Sequence, residues 1–314
     1  MAHEIDWPLL AELRARYLSP EPTVVPDYWH SAHVLDQYDR TFAQRIGWKW
    51  DSVLTEVVPR LAALRALRPA VVDWGCGTGI ASRRFLAAWG ATSVEDVALY
   101  DRSESAQNFG RERLQAEFPQ GAVHAFRDVP ASPFILLVSH VLSELGSSIP
   151  NSLNALVERA SAIIWLEPGT PRTARELVKF REQVSPRFQW VAPCPHAGPC
   201  GLFGTDGGDW CHHFATPPGF VFQDRFWGQF SKEMGIDLRS LPVSYLVGVE
   251  KSIGASPRPI DNRIIGRVRP YKGYIKALVC DENGVEEKRL LERNDKALVK
   301  RLKAGGFSLS ISNK

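Results

Sequence analysis

The chain predicts an α/β fold: a mostly parallel sheet, an N-terminal helical region before it and a small C-terminal β-domain after it. Three observations carry that prediction. A short apolar run ends in a glycine-rich turn, VVDWGCGTG, at 71–79. From there to about residue 250, apolar runs alternate with helical segments, as right-handed β–α–β crossovers require. Before the turn, residues 4–68 carry apolar side chains at helical spacing, and the last fifty or so residues read as short runs divided by turn signals.

Taken in order, WPLLAELRARYL and WDSVLTEVVPRLAALRAL predict helices, with a proline-rich loop that becomes helical between them. AVVDWG predicts the first strand, and IASRRFLAAWG a helix closed by glycine. EDVALYD is the second strand, with Asp101 at its carboxyl end, and SESAQNFGRERLQAEF the next helix. GAVHAFRDV predicts a third strand, and PFILLVSHVL a fourth running into a loop. SLNALVERA is helical, AIIWLEPGT a fifth strand, and TARELVKFREQV an amphipathic helix. FQWVAPCP opens a strand broken by a cysteine-bearing loop at 193–214. FQDRFWGQFSKEMG is helical, and VSYLVGVEKS is the last strand of the sheet, apolar on both faces. SPRPIDN at 256–262 reads as a linker. Beyond it, RIIGRVRPYKGYIKALVCDENGVEEKRLL predicts short strands joined at Tyr-Lys-Gly and Glu-Asn-Gly turns, a small twisted, open-barrel-like unit. The expected divisions are 1–68, helical; 69–255, the core with the cysteine loop; and 262–314, the basic β-domain.

Composition narrows the function classes. Five cysteines in 314 residues do not make a secreted disulfide scaffold. The start, MAHEIDWPLLAEL, lacks a secretory or arginine-rich targeting pattern. No apolar run approaches the length of a membrane span, so a reducing cytoplasmic compartment is expected. Net charge is +3, yet residues 262–314 hold 13 Lys/Arg against 6 Asp/Glu. That local basic field points to a polyanionic partner.

Asp73, Gly75, Gly77 and Gly79 form D-x-G-x-G-x-G at a strand-to-helix turn. Glycines admit positive φ and a close ligand, and the next helix N-terminus favours an anionic group. Asp101 is placed to accept the hydroxyls of a ribose, and Asp128 is a candidate for an adenine amino group. Cys76, inside the loop, is expected to pack behind the turn. The pattern resembles class I S-adenosylmethionine-dependent methyltransferases, and so implies that cofactor. No catalytic residue is assigned. Where amino methylation of bases uses a polar-Pro-Pro-aromatic segment, this chain has Ser139-His140-Val141-Leu142-Ser143-Glu144. His140 is a general-base candidate or a loop hydrogen-bonder, Glu144 a cap or ion-pair partner, and Glu167 a pocket-lining candidate.

Cys194, Cys200 and Cys211 are spaced C-x5-C-x10-C, and Cys280 follows after 68 intervening residues. Four thiolates that converge make a zinc or iron–sulfur ligand set. Cys280 completes it only if the C-terminal domain folds back on the core. His196, His212 and His213 are rival ligands for a zinc site.

With APCPHAGPC…DWCHHF, VSYLVGVE, SHVLSEL and WLEPGTP, the chain resembles the ribosomal small-subunit methyltransferase-like family, found in bacteria and as a mitochondrial small-subunit assembly factor. The resemblance implies a [4Fe-4S] cluster on Cys194, Cys200, Cys211 and Cys280, and association with the small ribosomal subunit and its rRNA, the free chain being a monomer. Two activities are compatible with it: a ribosome assembly or maturation factor, and an active S-adenosylmethionine-dependent rRNA methyltransferase. Arg263, Arg267, Arg269, Lys272 and Lys276 are the candidate phosphate contacts. Tyr271 and Tyr274 either stack on exposed bases or pack the turn.

Overall fold

The computed structural model describes residues 4–18, 29–145, 149–203, 208–256, 261–303 and 311–312. The core strands are β1 (Ala70–Trp74), β2 (Val97–Tyr100), β3 (Val123–Ala125), β4 (Phe134–Ser139), β5 (Ala162–Pro168), β6 (Phe188–Ala192), β7 (His213–Phe214) and β8 (Pro242–Glu250). They are ordered β3-β2-β1-β4-β5-β8-β6, with β7 also on β8. β1 to β5 pair in parallel, and β8 runs antiparallel to β5, β6 and β7. This is the expected α/β class, in the class I S-adenosylmethionine-dependent methyltransferase arrangement. The order reverses between β1 and β4, the switch point where such sheets open a crevice at their carboxyl ends.

The flanking helices are α1 (Trp7–Tyr17), α2 (Ala32–Asp39), α3 (Phe42–Val57), α4 (Ala62–Ala66), α5 (Ile80–Trp89), α6 (Glu104–Glu117), α7 (Asn151–Arg159), α8 (Pro171–Val184) and α9 (Arg225–Met234). Val71, Leu99, Ile135 and Ile164 pack on one sheet face with the N-terminal helices, α5, α6 and α9. Val72, Leu136, Val138, Ile163 and Trp165 pack on the other face with α7 and α8. Two covered faces explain why these strands read as continuous apolar runs.

The C-terminal sheet is ordered β11-β10-β9-β12, from β9 (Asp261–Tyr271), β10 (Tyr274–Asp281), β11 (Gly284–Leu291) and β12 (Ile311–Ser312), with α10 (Lys296–Lys303) after β11. Its strands are longer than expected and α10 was not foreseen, whereas the third core strand contracts to three residues. Most of the expected linker at 256–262 lies outside the described residues. No helix among the described residues is long and apolar enough to cross a membrane.

Two carboxylates set the frame. Glu56 of α3 pairs with Arg263 of β9, which is 2% exposed, and also accepts from the Tyr245 hydroxyl of β8 at 3.1 Å. Arg263 is therefore an internal staple and not a surface phosphate contact, which corrects the sequence expectation. Glu167, fully buried at the end of β5, accepts at one oxygen from Val141 N (3.0 Å), Leu142 N (3.1 Å) and Trp165 Nε1 (2.8 Å). It holds the turn after β4.

Glu167→Ala would orphan three buried donors. At ~1–3 kcal/mol for each, it is expected to destabilise the fold by about 3 kcal/mol or more, while Glu167→Gln keeps an acceptor and costs much less. Thermal unfolding of both variants measures the difference. Burial outweighs these donors and raises the Glu167 carboxyl from 4.5 to about 7. The folded state therefore retains a proton that the unfolded chain releases. The stability this confers is complete below about pH 4.5 and is lost as pH rises through about 7. Glu167→Gln should remove that component of the pH profile.

Candidate functional site

The glycine loop is shaped by the strand beside it. Gly75 N and Cys76 N both donate to Tyr100 O, at 2.8 and 2.9 Å. Gly77 N donates to Asp101 Oδ2 at 2.8 Å, and Ser103 N to Asp101 Oδ1 at 3.0 Å. Gly79 enters α5 at φ +72°, where a Cβ would meet the Gly110 backbone at 3.1 Å. At Gly77, by contrast, a Cβ would meet nothing within 4 Å. The loop is thus tight against α6 and open towards a cavity of roughly 280 Å³. Gly75, Gly77, Tyr100, Asp101, Ser139 and His140 line it from the sheet, with Trp29, Tyr38 and Ile46 from the N-terminal region.

The other cofactor candidates lie elsewhere. Asp73 is fully buried and accepts from Ser82 N (3.2 Å) and Ser82 Oγ (2.6 Å), so it ties β1 to α5. Burial raises its carboxyl to about 7. Asp128 is exposed after β3 and does not line the cavity. Cys76 is 4% exposed, packed as expected yet at the cavity wall. The open backbone at Gly77 and the carboxylate at Asp101 suit a ribose-bearing ligand.

On the far wall, His140 has φ +58°, a conformation rare outside glycine. Its Nε2 lies 3.4 Å from Lys49 Nζ of α3. The neighbouring Trp50 Nε1 donates to Ser139 Oγ at 3.0 Å. Burial is the first cause that lowers Lys49, to about 7, followed by repulsion from Arg45. Burial, then Lys49 and Arg45, holds His140 well below the usual imidazole range. Glu144 pairs with Arg102 at 3.5 Å on the cavity wall. Lys49 escaped sequence reasoning, although a charge between Ile46 and Val53 on an apolar helix stripe was a signal.

The cysteine loop and Cys280 lie along the seam between core and C-terminal sheet, where His196 Nε2 stands 3.7 Å from Cys280 Sγ. β6 and β7 share one side of β8, so the intervening loop is extruded beside it. Cys280 comes from β10. Burial, then the charges of Cys194, Cys200 and Cys280, push the Cys211 thiol far up, which places all four sulfurs within electrostatic reach. Arg181, in the apolar stripe of α8, faces Cys194 and donates to His196 O (3.1 Å) and Gly198 O (2.8 Å). Its partner Glu182 accepts from Cys200 N at 3.1 Å.

The histidines serve this seam. His196 Nε2 lies 3.7 Å from Cys280 Sγ, and His213 Nε2 lies 3.8 Å from Cys211 Sγ, with Nδ1 3.1 Å from Ile264 O. His212 stacks on Trp210. Its ring fills the space where a Gly266 Cβ would stand, 2.7 Å away, and Gly266 has φ +66°. Among the described residues, no three His, Cys, Asp or Glu side chains are grouped to hold a single metal ion. Four soft sulfur donors beside an arginine, with histidines at hydrogen-bonding range, fit a polynuclear cluster in chemistry.

Of the remaining basic candidates, Arg267 stacks over Phe214 at 4.6 Å and donates to Ser240 Oγ. Arg269 and Lys276 both pair with Glu287, and Lys272 is exposed in the β9–β10 turn. Tyr271 and Tyr274 stack at 4.8 Å, and Arg289 covers the Tyr274 ring at 3.8 Å.

Among solved structures, a candidate RNA methyltransferase from Pyrococcus horikoshii is similar at 15% identity and a TM-score of 0.39, covering 76% of this chain and 97% of its own. The magnesium protoporphyrin IX methyltransferase of Synechocystis, with bound SAH, is similar at 12% identity and a TM-score of 0.34, over 76% of this chain and 94% of its own. The precorrin-6y C5,15-methyltransferase of Geobacter metallireducens is similar at 15% identity and a TM-score of 0.34, over 60% and 86%. Comparison with curated proteins found no match. The family model described as mitochondrial small ribosomal subunit Rsm22 matches residues 47–304, which take in most of α3, the glycine loop, the cysteine seam and α10. The chain belongs to the Rsm22 family of the small ribosomal subunit.

Proposed function

We propose that the chain is a small ribosomal subunit assembly or maturation factor that binds rRNA, with S-adenosylmethionine in the glycine-loop cavity and a structural [4Fe-4S] cluster at the seam. The observation that supports this reading is that Cys211 lies in the electrostatic field of Cys194, Cys200 and Cys280, the last from a separate sheet and 3.7 Å from His196 Nε2 of the cysteine loop, in a chain of this family. The cluster would supply a cross-link, so its binding energy is partly folding energy. It would hold the basic hairpin at a set angle to the core. Lys272, Arg269 and Lys276 then face rRNA phosphates, giving salt-dependent affinity with little base specificity. The outer face of Tyr271, 44% exposed, offers a stacking surface for one base on the Arg289–Tyr274–Tyr271 pile.

Asp101 would hold the ribose and Gly77 the close backbone approach. The cofactor supplies an electrophilic methyl group when bound. A second reading, an active S-adenosylmethionine-dependent rRNA methyltransferase, is favoured by one observation. The cavity that holds the glycine loop also reaches His140, leaving an acceptor a place beside the cofactor. In either reading the free protein acts as a monomer and no membrane is involved.

Anaerobically purified protein is expected to carry about four irons and four acid-labile sulfides per chain. Cys280→Ser should lose most of both and lower the unfolding temperature. One zinc without sulfide would sink the cluster assignment. Binding to small-subunit rRNA should weaken with salt. Replacing Arg269, Lys272 and Lys276 by Glu should flatten the log–log salt slope by about 0.7–0.9 for each phosphate no longer neutralised; an unchanged slope would place the RNA on another face. Asp101→Ala should weaken S-adenosylhomocysteine binding at least tenfold by calorimetry while rRNA affinity stays put. Equal loss of both would mean that the variant is misfolded or that the two sites are one.

A further inference from the structure

We propose that His140 and Lys49 form a proton-accepting dyad, with His140 the catalytic base for a protic RNA nucleophile and Lys49 the relay residue behind it. The inference rests on the methyltransferase reading of the cavity and deepens it. The acceptor class is a hydroxyl or ring N–H that must lose its proton as it attacks.

The geometry carries the assignment. His140 stands at the carboxyl end of β4, next to the switch point, and lines the same cavity as Gly75, Gly77 and Asp101. Its left-handed backbone is held rather than relaxed. His140 N donates to Leu166 O at 2.8 Å, and the buried Glu167 grips the next two amides. A non-glycine residue kept at φ +58° is strained, and such strain gathers at functional sites. Lys49 reaches His140 Nε2 from α3, on a different part of the chain. It is 8% exposed, and among the described residues the imidazole is the hydrogen-bonding neighbour of its amine.

The charged surroundings suit a neutral pair. Arg45, one turn before Lys49 on α3, opposes a positive charge on both members. Glu167 of β5 acts the other way on Lys49 but is itself shifted towards its neutral form. Glu144 and Asp101 line the cavity beyond His140. With Lys49 as the free amine, Nε2 of His140 carries the hydrogen between them and Nδ1 is the open acceptor. The nucleophile's lone pair forms the bond to the methyl carbon, and the carbon–sulfur bond breaks with its pair passing to sulfur. The nucleophile's proton goes to Nδ1, and the Nε2 proton passes to Lys49 Nζ. The imidazole ends neutral, and one positive charge has moved from sulfonium to ammonium.

The test uses the full-length, anaerobically purified protein. Single-turnover transfer of labelled methyl from S-adenosylmethionine to immature small-subunit RNA is followed against pH. Side-chain nitrogen NMR of lysine-labelled protein follows the Lys49 amine, assigned with Lys49→Arg. In the expected result, the transfer rate rises tenfold per pH unit to an inflection near 7 and the amine titrates at the same pH. His140→Gln and Lys49→Met then lose at least 100-fold in rate yet bind S-adenosylhomocysteine within twofold of wild type. Lys49→Arg, which cannot release its proton, should fold, bind the cofactor product and remain slow. An amine that titrates as an ordinary lysine, or wild-type rates in Lys49→Met, overturns the dyad alone. Wild-type protein that binds S-adenosylhomocysteine but methylates no RNA overturns both the dyad and the enzymatic reading. Wild-type protein that binds no S-adenosylhomocysteine overturns the cofactor site itself.

Discussion

The ion pair between Glu56 and Arg263 is the constraint on which the two halves of the molecule depend. Glu56 belongs to the helix that lids the cavity, Arg263 to the first strand of the C-terminal sheet, and Tyr245 joins them from β8. The pair is a weak source of net stability, because the Arg263 charge is desolvated. Its value is in register. Arg263 stands directly opposite Cys280 in the β9–β10 ladder. Anchoring Arg263 on α3 therefore places Cys280 against the loop that carries the other three cysteines. Loss of either partner would leave one charge uncompensated in the seam, so the docking has one strongly preferred geometry.

The cysteine loop follows from how β8 is used. This strand lies between β5 and two short partners that take opposite ends of its other side. The chain leaves that edge after Ala192 and rejoins it at His213, and the described residues between have no ladder to join. They are instead held by side chains: Arg181 on two carbonyls, Glu182 on Cys200 N, and Trp210 Nε1 on Gly169 O. Consecutive histidines divide the remaining work. His213 points inward to Cys211 and Ile264 O, whereas His212 wedges against the one residue, Gly266, that leaves room for its ring. The backbone of Gly266 then donates to His212 O at 2.8 Å.

Much of this was legible in the chain. Glycines at 75, 77 and 79 announced the turn because positive φ demands them, and close packing as well at 75 and 79, and Asp101 sits at the carboxyl end of the second strand, as expected. Cys280 could join the other cysteines only if the C-terminal domain folded back, and Arg263 beside it on β9 does pair with Glu56 of the core. What could not be read is long-range. Nothing local says that β8, last in sequence among the core strands, inserts between β5 and β6. Arg263 looked like a surface cation because its partner lies 207 residues away. Asp73 looked like a ligand-facing carboxylate, yet the pleat turns it towards Ser82. Charges embedded in apolar stripes, Lys49 on α3 and Arg181 on α8, were the neglected clue: each is buried beside one of the two candidate sites.

Those two sites are mechanically joined by one ladder. Glu167, which grips the turn bearing His140, is the register partner of Ser244 on β8. Ser244 Oγ in turn donates to Cys211 O at 2.8 Å. One pair of strands thus sets the height of the cavity wall and of the cysteine seam together. A hydrogen-bonded ladder in a close-packed core has little room to slide, since a one-residue slip would reverse every side chain. The link therefore transmits position. Whatever locks the C-terminal sheet onto the seam therefore also fixes where the cavity stands relative to the basic hairpin.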